Sequence, residues 1–177
     1  MTTIPAGTYE SRSELSTPTD LSPEDVQAVT EAINPLVADA LALYVKTKNF
    51  HWHLSGRRFH DLHLLFDEQA DAILESVDVL AERVRKVGGQ TIRSISHISE
   101  LQTITDDNDD YVSPNEMVRR LCDDNRHIAE LQRKAHVACD RTGDVATTSI
   151  LENLIDETER RTWFLFEITQ STDAVVT

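Results

Sequence analysis

Histidine is concentrated in one short part of this chain. Four of its seven histidines lie within thirteen residues: His51, His53, His60 and His63. Five acidic residues follow at helical spacing: Asp67, Asp71, Glu75, Asp78 and Glu82. At about 100° per residue, these five and His63 fall within an arc of about 120°. Mixed imidazole and carboxylate ligands suit iron, manganese or zinc better than calcium or magnesium. The pattern predicts a transition-metal site, and the alternative is a solvated acidic helix face.

Two pairs of these residues are each spaced by four positions, His63 with Asp67 and Asp78 with Glu82. Side chains four apart share a helix face, so each pair can close on one ion. About 16 Å of helix separates Asp67 from Asp78, at about 1.5 Å per residue, and one ion cannot bind both pairs. If two copies pack antiparallel about a two-fold axis, the first pair of one chain meets the second pair of the other. We therefore predict two identical sites, each shared by two chains.

His51 is the expected third ligand, because it ends the preceding helix beside the start of the helix that carries His63. His53 lies about 200° from His51 around the helix axis and should not share its ion; a surface side chain is expected, and a transient iron site is the alternative. His60, about 300° from His63, is expected to be the same. The other histidines have no partner at metal spacing and are assigned structural roles: His97, His127 and His136.

Two long helices are predicted to position these ligands. The first starts at Ser22-Pro23, a cap followed by a proline suited to the first turn, and ends at Gly56. Pro35 should kink it, because proline removes one intrahelical hydrogen bond. The second runs from about Phe59 to Val87 and stops at Gly88-Gly89, a natural left-handed cap.

The rest of the chain predicts two more long helices. A capping box at Ser113 opens the third, which extends to about Arg141. Asp144 caps the fourth, which extends to about Thr169. Residues 90–111 form a long crossover that can carry one short extra helix. The fold class is therefore all-α, a four-helix bundle with a long crossover after helix two.

Composition limits the classes of function. The 177 residues predict one domain at 22–170, with an N-terminal tail at 1–21 and a C-terminal tail at 171–177. The formal charge is −14, with 4 Lys, 13 Arg and 17 Asp, which indicates a hydrated, salt-adapted surface. Without a basic patch, nucleic acid is not the expected main partner. We expect no segment that spans a bilayer and no signal sequence, hence a cytoplasmic protein. Cys122 and Cys139 lie about 25 Å apart along one helix, too far for a disulfide.

The sequence resembles the Dps-like mini-ferritins, which are starvation-induced iron-storage proteins. The motif is His51-Trp52-x-x-x-Gly56-x-x-Phe59-x-x-Leu62-His63-x-x-Phe66-Asp67-Glu68, followed by Asp78-x-x-Ala81-Glu82-Arg83 and Gly88-Gly89. The resemblance implies a ferritin-like bundle in a hollow homo-dodecamer. It also implies that ferrous iron is oxidised, typically by hydrogen peroxide, and stored as ferric oxide. The ferroxidase ligands would be His51, His63, Asp67, Asp78 and Glu82, shared between two subunits. The acidic, Lys-poor composition resembles the haloarchaeal members.

Further residues are candidates for roles around the iron site. Trp52 resembles the family's tryptophan beside the di-iron site, where an indole could absorb a one-electron oxidation; core packing is the alternative. Asp71 and Glu75 lack a histidine, which suits weak binding of ferric iron at a nucleating surface. An acidic stripe falls within an arc of about 60° on the last helix and could line a three-fold iron channel: Glu152, Asp156 and Glu159. Salt-adapted surface acid is the alternative for both groups.

The leading functional prediction is a ferroxidase and iron store that protects against oxidative damage. The first alternative is a nucleoid-compacting DNA-binding protein with secondary iron binding. DNA-binding relatives carry several lysines in a mobile tail, whereas residues 1–20 contain none and 170–177 carry only Asp173 as a charged residue. The second alternative is a helical scaffold without chemistry. The negative surface charge favours the ferroxidase and iron store over the DNA-binding protein.

Overall fold

The chain, analysed as a computed structural model, is described over residues 13–170. Five α-helices and one 3₁₀ turn make up the regular structure of that part, which contains no strand. They are the turn Ser13–Leu15, α1 Pro23–His53, α2 Phe59–Lys86, α3 Ile95–Leu101, α4 Pro114–Asp140 and α5 Val145–Thr169. The all-α prediction is confirmed, with α3 as the short helix of the crossover. Most of the two predicted tails, 1–12 and 171–177, lies outside the described residues, so the division into tails and domain stays a prediction.

The predicted caps start three of the long helices. The side chains of Ser22, Ser113 and Asp144 each accept a hydrogen bond from the backbone N–H three residues later. Such caps satisfy backbone donors that have no partner within the helix. α1 ends at His53, short of the predicted Gly56, and continues through Pro35 as one helix.

The helices pack in pairs around two apolar clusters. α1 packs along α2, α4 packs along α5, and α1 also contacts α4. One cluster contains the fully buried rings of Phe50 and Phe66, close to the predicted metal ligands. The other contains Ile33 and Leu151. Each such side chain stabilises the fold by about 1.5–3 kcal/mol, so the backbone beside the histidines is held by the core.

By length and composition alone, α1 is apolar enough to cross a membrane, a feature that a search for uncharged apolar runs does not detect. The expectation that no segment spans a bilayer stays a prediction. In the bundle, 61% of the most apolar 18-residue stretch of α1 is buried. The central helix of a folded core can be as apolar as a membrane-spanning helix.

A buried carboxylate fixes the crossover to α1. Asp39 is fully buried and accepts hydrogen bonds from the Thr103 backbone N–H (2.5 Å), the Thr103 hydroxyl (2.9 Å) and the Ile104 N–H (2.9 Å). Lys46 Nζ adds a bond to the Thr105 carbonyl (3.1 Å) and an ion pair with Asp124 (2.7 Å). The crossover is therefore attached to the helix that carries His51.

The C-terminal end of α2 is held by glycine geometry and an ion pair. Gly88 adopts φ +93°, as the predicted left-handed cap requires. A Cβ on Gly89 would collide with the Thr30 hydroxyl, so the chain passes too close to α1 for any side chain there. Arg83 bridges to α5, bonding Asp144 Oδ1 at 2.5 Å and Thr147 Oγ1 at 2.7 Å. These contacts fix the turn of α2 that carries Glu82.

Both cysteines are free thiols. Cys139 is buried, and Cys122 is half-buried. Burial raises the pKa of both thiols, to about 12 for Cys139.

Candidate metal centre

His51 and His63 form a stacked pair where α1 meets α2. Their ring centroids are 3.7 Å apart, with 19° between the ring planes. His51 Nδ1 lies 2.8 Å from the His63 backbone carbonyl, and His63 Nδ1 lies 3.1 Å from the His51 carbonyl. The two residues therefore hold each other in place through a reciprocal pair of hydrogen bonds.

These hydrogen bonds determine which nitrogen of each ring can bind a metal. A backbone carbonyl only accepts, so each Nδ1 must carry a proton and donate it. In the neutral imidazole the Nε2 lone pair is then free on both rings. An orienting hydrogen bond on the other ring nitrogen is the usual arrangement for metal-binding histidine. The structure thus presents two oriented nitrogen donors side by side.

Phe59 completes the stack on the other face of His63. Its ring centroid lies 4.9 Å from that of His63, with 23° between the planes. The His63 imidazole is thus held between an aromatic ring and a second imidazole. Phe59 is the first residue of α2 and is 44% exposed, so it contributes more to ring placement than to the core.

Asp67 lies one helical turn beyond His63. Its Oδ1 is 3.7 Å from His51 Nε2, which brings a carboxylate oxygen beside the free ring nitrogen. Lys48 on α1 forms an ion pair with the same oxygen. The hydrogen bond from Lys48 lowers the pKa of Asp67, and the same bond raises the pKa of Lys48. Without metal, an ammonium group therefore neutralises the carboxylate that a cation would use.

Asp78 and Glu82 lie on exposed surface of α2 and do not join the histidines within the chain. Glu82 forms an ion pair with Lys86 at 2.9 Å, with both side chains more than half exposed. In the described part of the chain, no group of three or more His, Cys, Asp or Glu side chains is arranged to hold one metal ion. The sharing of ligands between two chains stays a prediction. The separation of Asp78 and Glu82 from the histidines within one chain is compatible with it.

Trp52 follows His51 and is 63% exposed. It is therefore not part of this chain's core, which removes the packing alternative within a single chain. Phe59 and Leu64 are also exposed and lie in the same segment, at 44% and 55%. Exposed apolar side chains around an incomplete metal site are what an interface with another subunit would cover.

The other predicted acidic residues lie apart from this centre. Asp71 and Glu75 are exposed on α2. On α5, Glu152 bonds His136 Nε2 at 3.2 Å and Glu159 pairs with Arg133. Of the predicted channel stripe, these two carboxylates are thus engaged by α4, and Asp156 is exposed. Their assignment to nucleation and to a channel stays a prediction.

The remaining histidines have local partners or lie at the surface. His53 bonds its own helix at the Asn49 carbonyl (2.9 Å), and His60 is exposed beside Asp61. His127 Nε2 contacts the Thr103 hydroxyl at 2.8 Å and so belongs to the network that fixes the crossover. His97 lies in α3.

Sequence reasoning missed Lys48 and Phe59 as parts of the centre. Lys48 precedes His51 by three residues, one helical turn, which places a cation on the ligand-bearing face. That spacing was the available signal. For Phe59 the only signal was its place in the motif, because the stack depends on how α1 and α2 meet.

Comparison with known proteins agrees with this architecture. Residues 30–175 match the family described as the ferritin-like domain. The chain is 32% identical to the DNA protection during starvation protein of Brevibacillus brevis, over 78% of this chain and 93% of that one. The class is thus a ferritin-like bundle.

Two solved structures show the same fold. The Dps protein from Vibrio cholerae O1, described as a member of a broad superfamily of ferritin-like diiron-carboxylate proteins, matches with a TM-score of 0.81 and 25% identity, over 86% of this chain and 96% of that chain. An archaeal Dps homologue from Halobacterium salinarum matches with a TM-score of 0.85 and 23% identity, over 97% of each chain. The protein belongs to the ferritin-like family, and within it to the Dps-like mini-ferritins.

Proposed function

We propose that this protein is a cytoplasmic ferroxidase and iron store. Ferrous iron binds where His51, His63 and Asp67 of one subunit meet Asp78 and Glu82 of another, and hydrogen peroxide oxidises it. Each peroxide takes one electron from each of two ferrous ions; its O–O bond breaks, and two water molecules form with two protons. The ferric product is stored as oxide in a hollow shell of twelve subunits. Removing iron and peroxide together protects the cell from oxidative damage.

One observation carries the proposal: the reciprocal hydrogen bonds between His51 and His63. They leave both Nε2 atoms unprotonated in neutral rings and place Asp67 beside them. Two nitrogen donors and a carboxylate suit ferrous iron. The Vibrio cholerae relative, which belongs to the diiron-carboxylate superfamily, supports iron as the metal.

Charge and the exposed tryptophan support the rest of the proposal. With −14 per chain, a closed shell attracts ferrous ions strongly and concentrates them at its surface. Trp52 lies next to His51 in sequence and is free of this chain's core, so it can sit beside iron at the subunit interface and take up a stray oxidising equivalent. We assign it that protective redox role.

Anaerobic ferrous titration tests the function. Iron-free protein receives ferrous iron and then hydrogen peroxide in small steps, while ferric absorbance is recorded. We expect oxidation to stop at two ferrous ions per peroxide, and electron microscopy to show dense cores inside the shells. Oxidation no faster than in a protein-free control, with no cores, would contradict the proposal.

DNA binding is the alternative, and the name of the Brevibacillus brevis relative favours it. Binding to phosphate groups depends on released counterions and so requires clustered cations. This chain has 4 Lys, and three of them form ion pairs with acidic side chains: Lys46, Lys48 and Lys86. We expect no retardation of plasmid DNA at moderate salt. Retardation at physiological ionic strength would favour the alternative.

A further inference from the structure

The three-ring stack at the metal centre contains one ring that cannot bind a metal ion. Phe59 and His63 lie one helical turn apart on α2, so their side chains share a face of that helix. Their ring centroids are 4.9 Å apart, with 23° between the planes, and His51 stacks on the other side of His63 at 3.7 Å. The two histidines are proposed ligands, so the position of Phe59 beside them requires a separate explanation.

Packing within the chain does not account for Phe59. Its side chain is 44% exposed, whereas Phe50 and Phe66 of the nearby apolar cluster are fully buried. Its backbone N–H closes the turn into α2 by donating to the Gly56 carbonyl at 3.1 Å, a bond that any residue except proline can make. The phenyl ring is not needed for that turn. What the ring contacts is the His63 imidazole.

The electrostatics of this contact favour the metal-bound state. The face of a phenyl ring carries partial negative charge, which attracts a cation centred within about 6 Å. The His63 ring lies inside that range. When its Nε2 gives a lone pair to a divalent cation, the imidazole takes up part of the positive charge, and the attraction to the phenyl face grows. The stack is therefore stronger with metal bound than without it.

The other neighbours of His63 work against metal binding. His51, stacked on one face, takes up positive charge from metal at the same time as His63. Lys48, which is paired with Asp67, adds an ammonium group near the two rings. Like charges at such distances repel one another. A phenyl face on the side away from His51 offsets part of that repulsion without adding a formal charge or another ligand.

We propose that Phe59 is a positioning residue of the metal centre: it orients the His63 imidazole and stabilises that ring once a divalent cation is bound. This inference rests on the proposed function, because it takes His63 as a metal ligand. It concerns binding of the ion and not its oxidation, so it is tested with Co²⁺ in the absence of peroxide.

Titration of the assembled, iron-free protein with Co²⁺ tests the proposal, with visible absorbance as the readout. Phe59→Leu keeps an apolar side chain and removes the ring, and we expect the Co²⁺ affinity to fall about fivefold. Phe59→Tyr keeps the ring face and should bind within about twofold of the native protein. Phe166→Leu is the matched control, because Phe166 is similarly exposed, at 49%, and lies on α5 outside the stack. Its affinity should equal that of the native protein.

Pentafluorophenylalanine at position 59 separates electrostatics from shape. Fluorine reverses the charge distribution of the ring face and leaves the ring nearly the same size. We expect the Co²⁺ affinity to fall at least as far as in Phe59→Leu. Native affinity in the fluorinated protein or in Phe59→Leu would overturn the proposal, as would equal losses in Phe59→Tyr and Phe59→Leu. If Phe59→Leu does not assemble, the fluorinated protein and Phe59→Tyr give the answer.

His63→Ala distinguishes failure of this inference from failure of the proposed function. If His63→Ala weakens Co²⁺ binding and Phe59→Leu does not, His63 is a ligand and only the role of Phe59 is contradicted. If His63→Ala binds Co²⁺ as tightly as the native protein, His63 is not a ligand, and both proposals are overturned.

Discussion

The two ends of α2 carry the two halves of the proposed metal centre, and their side chains are in opposite states. At the N-terminal end, His63 is stacked between two rings and hydrogen-bonded to His51, and Asp67 is ion-paired with Lys48. At the C-terminal end, Asp78 is exposed, and Glu82 forms an ion pair with exposed Lys86. One half of the proposed centre is thus already fixed by contacts within the chain. The backbone of the other half is fixed by Arg83, but among residues 13–170 its carboxylates have no metal-binding partner, as a site completed by a second subunit would require.

The largest expected effect follows from removing a preorganised donor. His63→Ala deletes one Nε2 donor and the hydrogen bond that orients His51, so we expect the rate of ferrous oxidation to fall about 100-fold or more. The measurement is stopped-flow absorbance after mixing ferrous protein with peroxide. His53→Ala is the control, because that neighbouring histidine bonds the Asn49 carbonyl of its own helix. Equal losses in the two variants would contradict the assignment.

The second prediction concerns the contact between Arg83 and Asp144, which fixes the end of α2 that carries Glu82. Asp144→Asn leaves the half-buried Arg83 without an anionic partner, and hydrogen bonds to charged groups contribute about 1.5–3 kcal/mol. We expect the free energy of unfolding to fall by about 2 kcal/mol, measured by urea denaturation at pH 7. Glu116→Gln, which weakens pairs with the exposed Arg119 and the half-buried Arg120, should change it by less than about 1 kcal/mol. A larger loss of unfolding free energy in Glu116→Gln than in Asp144→Asn would contradict the greater stabilising role given to the Arg83–Asp144 contact.

Acid titration checks the same contact. Burial raises the pKa of Asp144, but the hydrogen bonds from Arg83 and Thr147 outweigh it, so the folded-state pKa lies below its ordinary value. The pair therefore stabilises the fold above the unfolded pKa of about 4, and this stabilisation is lost as pH falls through the depressed value. Between pH 5 and pH 3 the native protein should lose more stability than Asp144→Asn. An equal loss of stability in the two proteins over this pH range would contradict the stabilising role of the Asp144–Arg83 pair.

A smaller effect separates the two lysines. Lys48→Met frees Asp67 and removes a positive charge beside the histidines, so ferrous affinity should rise about tenfold. Lys86→Met frees Glu82 from an exposed pair that contributes about 0–1 kcal/mol, so affinity should change by about threefold or less. Anaerobic calorimetry with ferrous iron measures both. An equal gain in ferrous affinity in the two variants would contradict the proposed difference between the two ends of α2.

Local signals made most of the fold predictable. The caps at Ser22, Ser113 and Asp144 use contacts three residues apart, so a linear reading finds them. The stacking of His51 on His63 and the pairing of Lys48 with Asp67 depend on the angle at which α1 meets α2, which spacing alone does not give. Asp39 is a further example of a contact that the sequence does not predict. Its position within an apolar helix face does not indicate that it binds the crossover.

The most direct test of shared ligands mixes two inactive variants. His63→Ala and Glu82→Ala are unfolded together in equal amounts and reassembled. Random pairing makes half of the dimers mixed, and each mixed dimer holds one intact site of two, so activity should return to about a quarter of the native value. Mass spectrometry verifies the mixed shells. Recovery near that level is the predicted result, and complete inactivity in verified mixed shells would contradict a site built from two chains.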